Sequence, residues 1–179
     1  QSANTKTRIP LAVPPYGWEE VWDALDSMLK MKTTMGRKVK LFEKLFAKYI
    51  GVKYAVMVNS GSSALLLAYE TLPFPKGSNI ITPVLTFSTT VSMMLKAGFK
   101  PNFVDIKDNT FCIDESQIEN TINKKTKAIS IPNLLGNLPN WPLIYKIAKK
   151  YNLFIIEDSA DTLGATINNY SSGKFSDIS

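Results

Sequence analysis

A chain of 179 residues with 45% hydrophobic and 20% charged residues is sized for about one domain and is too apolar for a disordered segment. It contains no histidine, which excludes Ser-His and Cys-His catalysis and His-ligated zinc within it, and its one cysteine, Cys112, excludes an intrachain disulfide. Part of the formal charge of +6 gathers between Lys30 and Lys48. The plain reading of that cluster is a solvated helix face, and the sharper one is a lure for an anionic nucleotide diphosphate. No nucleic-acid motif accompanies it, so nucleic acid is not expected as a partner.

In chain order, residues 1–17 are Pro-rich and read as an N-terminal arm, leaving 18–179 as the folded part. The opening "QSANTKTR" is not a signal peptide and no apolar run reaches membrane-spanning length, so a soluble, cytoplasmic chain without a membrane partner is expected. Trp18–Lys30 has helical spacing, and "TTMGRK" breaks it. A second amphipathic helix carries Val39, Phe42, Phe46 and Tyr49 on one face, with Gly51 as its C-cap. Apolar runs at Tyr54–Val58, Asn79–Thr82, Pro101–Val104, Ala128–Ile131 and Leu153–Ile156 then read as strands. Helical stretches at Ser62–Leu72, Ser88–Ala97, Glu115–Ile122 and Leu143–Tyr151 lie between them. That alternation predicts an α/β fold, a mostly parallel sheet with helices on both faces. The end, "ATINNYSSGKFSDIS", reads as a turn-rich ribbon without a closing element, as expected of the N-terminal part of a larger protein.

Three stretches carry chemistry toward the carboxyl edge of such a sheet, where open α/β folds bind ligands. In "VMVNSGSSALLLAYETL" a strand delivers Gly61, Ser62 and Ser63 onto the start of an apolar helix. Free N–H groups, hydroxyls and the helix dipole there suit a phosphate, although an ordinary serine cap accounts for the residues equally well. It is neither a Walker loop nor a G-x-G-x-x-G turn. Phe87 stands between a strand and a helix, placed either to pack in the core or to stack on a planar ligand. In "IIEDSADTLGA" a buried strand ends on Glu157 and Asp158, with Asp161 three residues on; each alone could be a loop carboxylate. A metal is not indicated, because no histidine or further carboxylate cluster completes a site. Together a phosphate cradle, a stacking ring and a strand-end carboxylate match the needs of pyridoxal 5′-phosphate, whose pyridine nitrogen a carboxylate keeps protonated.

The stretches "FEKLFAKYIGVKYAVMVNSGSSALLLA", "TFSTTVSMMLKAGFKPNFVDI" and "IIEDSADTLGA" resemble the DegT/DnrJ/EryC1/StrS family of vitamin-B6 enzymes acting on nucleotide-linked sugars, from about Ile9 to the end. The resemblance implies the large domain of an aspartate-aminotransferase-type (fold type I) enzyme, the small C-terminal domain lying outside the chain. It also implies a homodimer with shared active sites. By position, Gly61, Ser62 and Ser63 would hold the cofactor phosphate, Phe87 would stack on its ring, and Asp158 would pair with the pyridinium nitrogen, with Asp161 beside it.

The lysine that carries the cofactor in aminotransferase members, or the histidine that replaces it, would lie beyond Ser179. Family aminotransferases usually have Gln or His where this chain has Asp161. With "NLLGN" at Asn133–Asn137, that departure is more similar to the sugar 3-dehydratase branch, in which pyridoxamine phosphate serves to expel the C3 hydroxyl of a 4-keto-6-deoxy sugar. Amino transfer from glutamate to the keto sugar is the alternative, and a non-catalytic regulator keeping the fold is the second alternative.

Overall fold

The structure, a computed structural model, describes residues 13–179. The expected arm therefore lies mostly outside the described residues, and 13–17 carry no regular element. The chain divides into two compact units, Gln1–Leu41 and Phe42–Ser179.

In the first unit, α1 (Trp18–Leu29) forms as its spacing predicts, with Glu20 accepting from the Gly17 N–H at its start. Its apolar residues, Trp18 and Trp22 among them, are exposed in this chain. Lys30 pairs with Asp26, and Lys38 with Asp23 and Asp26. Helix α2 (Arg37–Ile50) begins in the first unit and lies mostly in the second; it ends at Gly51, whose φ of 81° is the left-handed conformation expected of a glycine C-cap. Lys40, Lys44 and Lys48 lie exposed along α2, as the solvated-face reading requires.

The second unit is a three-layer α/β arrangement. Its elements are α3 (Gly61–Glu70), β1 (Asn79–Pro83), α4 (Ser88–Lys96), β2 (Lys100–Val104), α5 (Glu115–Thr121), β3 (Thr126–Pro132), α6 (Trp141–Tyr151) and β4 (Phe154–Asp158). Strand order is β2-β1-β3-β4, all parallel. Side-chain alternation along the strands sends Ile80, Ala128 and Ile156 into a core under α3 and α4. It sends Ile81, Ile129 and Ile155 into a second core under α5 and α6. Buried parallel strands read as apolar runs, which is why β1, β3 and β4 were visible in the sequence, while the edge strand β2 is only partly buried. A hairpin of β5 (Thr166–Ile167) and β6 (Tyr170–Ser171) forms the ribbon near the end. It turns on Asn168 and Asn169, both at positive φ, as a type I′ turn requires.

One expectation needs correction. The run Tyr54–Val58 is not a strand: it belongs to no ladder, and Tyr54 and Val56 are 74% and 75% exposed. Its apolar residues suit a strand, but no neighbouring backbone among the described residues pairs with them, and Met57 N–H instead donates to Glu43 Oε1 at 2.8 Å. Strand β4 ends on the acidic pair, as read from the sequence. Its ladder with β3 continues through Ile131 opposite Glu157 and Pro132 opposite Asp158.

Candidate functional site

The site forms where β1, β3 and β4 end. There the chain leaves β1 toward α4 through Leu85, Thr86 and Phe87, and leaves β3 through a short 3-10 turn, Leu134–Gly136. A cavity of about 490 Å³ opens at this edge, within the size range of small-molecule sites. Gly61, Ser62, Phe87, Asp158 and Asp161 line it, so five of the six residues singled out in the sequence meet around one space. Ser63, the sixth, is absent from the lining. Its N–H donates to Ser60 Oγ at 3.2 Å, closing the cap of α3.

That cap leaves the start of α3 available. The N–H groups of Gly61 and Ser62 are in the first turn, where no intrahelical acceptor exists. Among the described residues a Cβ built on Gly61 would meet nothing within 4 Å, and Gly61 lines the cavity. Phe87 is the N-cap residue of α4 and is 66% exposed, so it is not serving the core.

Asp158 is half-buried. Its Oδ2 accepts from Thr90 Oγ1 and its Oδ1 from Ala160 N–H, each at 3.3 Å. Thr90 was not visible as a site residue in the sequence. Its only signal was membership of "TFSTT", and its partner lies 68 residues away. Behind it, the hydroxyl of Tyr69 donates to the Thr90 carbonyl at 3.0 Å and meets Ser130 Oγ at 2.8 Å. Burial raises the pKa of Tyr69 strongly; the Ser130 hydrogen bond opposes this and the Asp158 charge adds to it.

Asp161 lines the same cavity. Its Oδ2 accepts from the N–H of Leu135, a cavity residue held at φ 55°. Asn133 and Glu157 also went unnoticed as partners. Asn133 lines the cavity, while its side chain is tied back into a buried cluster with Glu157, Thr162, Ser172 and Trp141. Cys112 is buried and burial pushes its thiol pKa up, the wrong direction for a nucleophile. Among the described residues no cluster of acidic or sulfur ligands could hold a metal, and no helix is long and apolar enough to cross a membrane.

The layered parallel sheet, with a cavity at the ends of its strands, defines an open α/β protein of the class whose ligand sites lie at that edge. The pattern of the DegT/DnrJ/EryC1/StrS aminotransferase family matches residues 17–179, and the chain belongs to that family. It is 41% identical over 166 residues to a GDP-4-keto-6-deoxy-D-mannose 3-dehydratase of Escherichia coli O55:H7, covering 88% of this chain and 43% of that protein. The solved E. coli GDP-4-keto-6-deoxy-D-mannose-3-dehydratase with bound hydrated PLP superposes with a TM-score of 0.86 at 39% identity, over 94% of this chain and 45% of that one. PseC of Helicobacter pylori, an aminotransferase of pseudoaminic acid biosynthesis, superposes with a TM-score of 0.84 at 33% identity, over 88% and 43%. The chain thus spans less than half the length of these relatives. The neighbours confirm the fold class expected from the sequence, an α/β, mostly parallel sheet of the PLP-dependent transferase type.

Proposed function

We propose that this chain is the cofactor-holding part of a pyridoxal- or pyridoxamine-5′-phosphate enzyme that removes the C3 hydroxyl of a nucleotide-linked 4-keto-6-deoxy sugar. The observation that carries the reading is the meeting of Gly61 and Ser62, Phe87 and Asp158 around one cavity. The residues fit the group. Thr86 lines the cavity with a buried Oγ1 that has no partner among the described residues, and the first N–H groups of α3 are open to an anion. The cofactor, once bound, would supply an electron sink for bond cleavage beside the sugar's keto carbon.

The chain's own residues would do the holding. Gly61 and Ser62 would bind the phosphate through backbone N–H groups and a hydroxyl, with Ser63 securing the turn. Phe87 would cover one face of the ring. Asp158 would hold a proton at the pyridine nitrogen, because an anion beside a protonated ring stabilises the charged form. Asp161 would border the ring through the Leu134–Gly136 turn that it anchors.

The same proposal takes residues 18–179 as part of one large domain preceded by an arm, a homodimer as the working unit and the cytoplasm as its compartment. The names of the relatives make a GDP-linked sugar the first substrate to test. Amino transfer is the second reading, favoured by transaminase relatives such as that of Campylobacter jejuni, 39% identical over 161 residues. The whole protein, incubated with GDP-4-keto-6-deoxymannose, cofactor and glutamate, decides by mass spectrometry of the product. Loss of the C3 hydroxyl is expected. An amine in place of the keto oxygen would establish the transaminase, and no conversion of any nucleotide-linked keto sugar would refute both.

A further inference from the structure

The cavity's candidate contacts stand on three elements that are remote in sequence: the start of α3, the start of α4 and the end of β4. Behind the cavity a buried polar relay ties them together. Tyr69, on α3, is fully buried, and its hydroxyl reaches the Thr90 carbonyl and Ser130 Oγ. Thr90, on α4, is fully buried too. Its N–H donates to the Phe87 carbonyl at 3.0 Å and its Oγ1 to Asp158 Oδ2. One threonine therefore touches both the residue placed to cover the ring and the residue placed to meet its nitrogen.

The surroundings make this arrangement informative. The core that Tyr69 shares holds Leu65, Ile80, Met94, Ala128 and Ile156. Phenylalanine at 69 and valine at 90 would fill the same space without polar atoms to satisfy, and burying hydroxyls costs stability unless each is paired. Here the hydroxyls are paired, and the chain of pairs ends on Asp158.

We propose that Tyr69 and Thr90 are positioning residues, a buried relay that holds the Asp158 carboxylate in register with Phe87 and the start of α3. This rests on the cofactor reading above. The 3.3 Å bond from Thr90 orients Asp158 Oδ2 and leaves the carboxylate at the cavity. The Tyr69 hydroxyl holds the backbone of α4 at Thr90 against β3 and α3.

The whole protein tests it, with pyridoxal 5′-phosphate as the probe and Thr90→Val, Thr90→Ser and Tyr69→Phe compared with the parent. Thr90→Val is expected to bind the cofactor about tenfold more weakly, the effect of one lost hydrogen bond to a charged group. It should also shift the pH at which the bound cofactor's absorbance changes. Thr90→Ser, which keeps the hydroxyl, should restore both. Tyr69→Phe should weaken binding several-fold with its cooperative unfolding retained. Parent-like affinity and pH profile in Thr90→Val, or a Thr90→Ser variant as impaired as the valine, would overturn the relay. If the valine variant does not fold, parent-like binding and spectrum in Tyr69→Phe would do so. A parent that binds no cofactor would bring down the underlying reading and the relay with it, whereas a binding parent with unmoved variants would sink the relay alone.

Discussion

Asn133 and Glu157, at the ends of neighbouring strands β3 and β4, meet side chain to side chain: Asn133 Nδ2 donates to Glu157 Oε1 at 2.8 Å. The two residues are only 1% and 2% exposed. Glu157 Oε1 also accepts from Ser172 Oγ at 2.7 Å and Ser159 Oγ at 3.1 Å, and Oε2 from Gly173 N–H at 2.9 Å. Among the described residues no lysine or arginine pairs with it. Hydrogen bonds alone therefore keep this carboxylate buried, and it joins the end of β3, the turn after β4 and the ribbon that follows β6. The acidic pair is thus divided, Glu157 inward as a brace and Asp158 toward the cavity.

Replacing Glu157 tests the brace. Glu157→Ala strands the buried Gly173 N–H and leaves the Asn133 amide only its Thr162 and Ser172 partners, and we expect a loss of about 2 kcal/mol, given 1–3 kcal/mol for an orphaned buried group. Glu157→Gln should lose less, because its carbonyl oxygen can still accept from Asn133. Urea unfolding measures both. A loss below about 1 kcal/mol for the alanine variant would contradict the brace.

Asp158→Asn separates holding from chemistry. The amide keeps an acceptor for Thr90 or Ala160, so the fold should be retained. It cannot supply the negative charge that keeps a ring nitrogen protonated, so turnover by the whole protein should fall at least about a hundredfold. Turnover near that of the parent would end the role given to Asp158.

Gly61 offers the opposite test, a change that favours the fold and harms the site. Its φ is not in the left-handed region and a Cβ would meet no neighbour among the described residues, so Gly61→Ala should leave stability unchanged or raise it by a few tenths of a kcal/mol. A methyl group at the start of α3 should nonetheless weaken cofactor binding, because a phosphate must approach the backbone closely there. Titration with pyridoxal phosphate checks this, and unchanged affinity would move the phosphate away from α3.

What the sequence disclosed, and what it withheld, follows from the range of each interaction. Strands β1, β3 and β4 are largely apolar runs between helical spacings, a local pattern legible without neighbours, and the edge strand β2 was legible from its place in the alternation. Tyr54–Val58 shows the same pattern and forms no strand, because pairing depends on a partner backbone that the run itself does not encode. Asp158 was legible as a charge where a buried strand ends. Thr90, Tyr69 and Asn133 were not, since each acts through a contact 21 or more residues away between residue types common in any core or turn. At "NSGSS" the capping and phosphate-binding readings draw on the same residues, and only the structure shows Ser63 committed to the cap.

Asp161 carries the departure from the usual aminotransferase residue, and its visible task is mechanical. Leucine in the left-handed region costs roughly 1–2 kcal/mol, and the bond from Leu135 N–H to Asp161 Oδ2 at 3.1 Å offsets part of that. Asp161→Ala should release the turn and raise both the cofactor's dissociation constant and the sugar KM several-fold. Asp161→Asn keeps an acceptor and should recover most of the loss. An asparagine variant as impaired as the alanine would show that the charge at 161, and not the anchored turn, is what the site uses.

Asp114 caps α5: its Oδ1 accepts from Ser116 Oγ at 2.6 Å and from Ser116 N–H at 3.1 Å, and its Oδ2 from Gln117 Nε2 at 2.6 Å. The Ser116 hydroxyl, followed by Gln117, holds its carboxyl below the ordinary aspartate range. A folded-state pKa that is depressed means the unfolded chain takes up the proton first as pH falls. The cap's contribution is therefore complete above the unfolded value near 4 and is lost as pH drops through the lower folded value. Asp114→Ala should cost about 1 kcal/mol at pH 7, as other capping residues do, and the gap between variant and parent should close below about pH 4. Denaturation midpoints at pH 7, 5 and 3 measure it. A gap that stays constant across that range would mean that the charged form of Asp114 adds nothing to the cap.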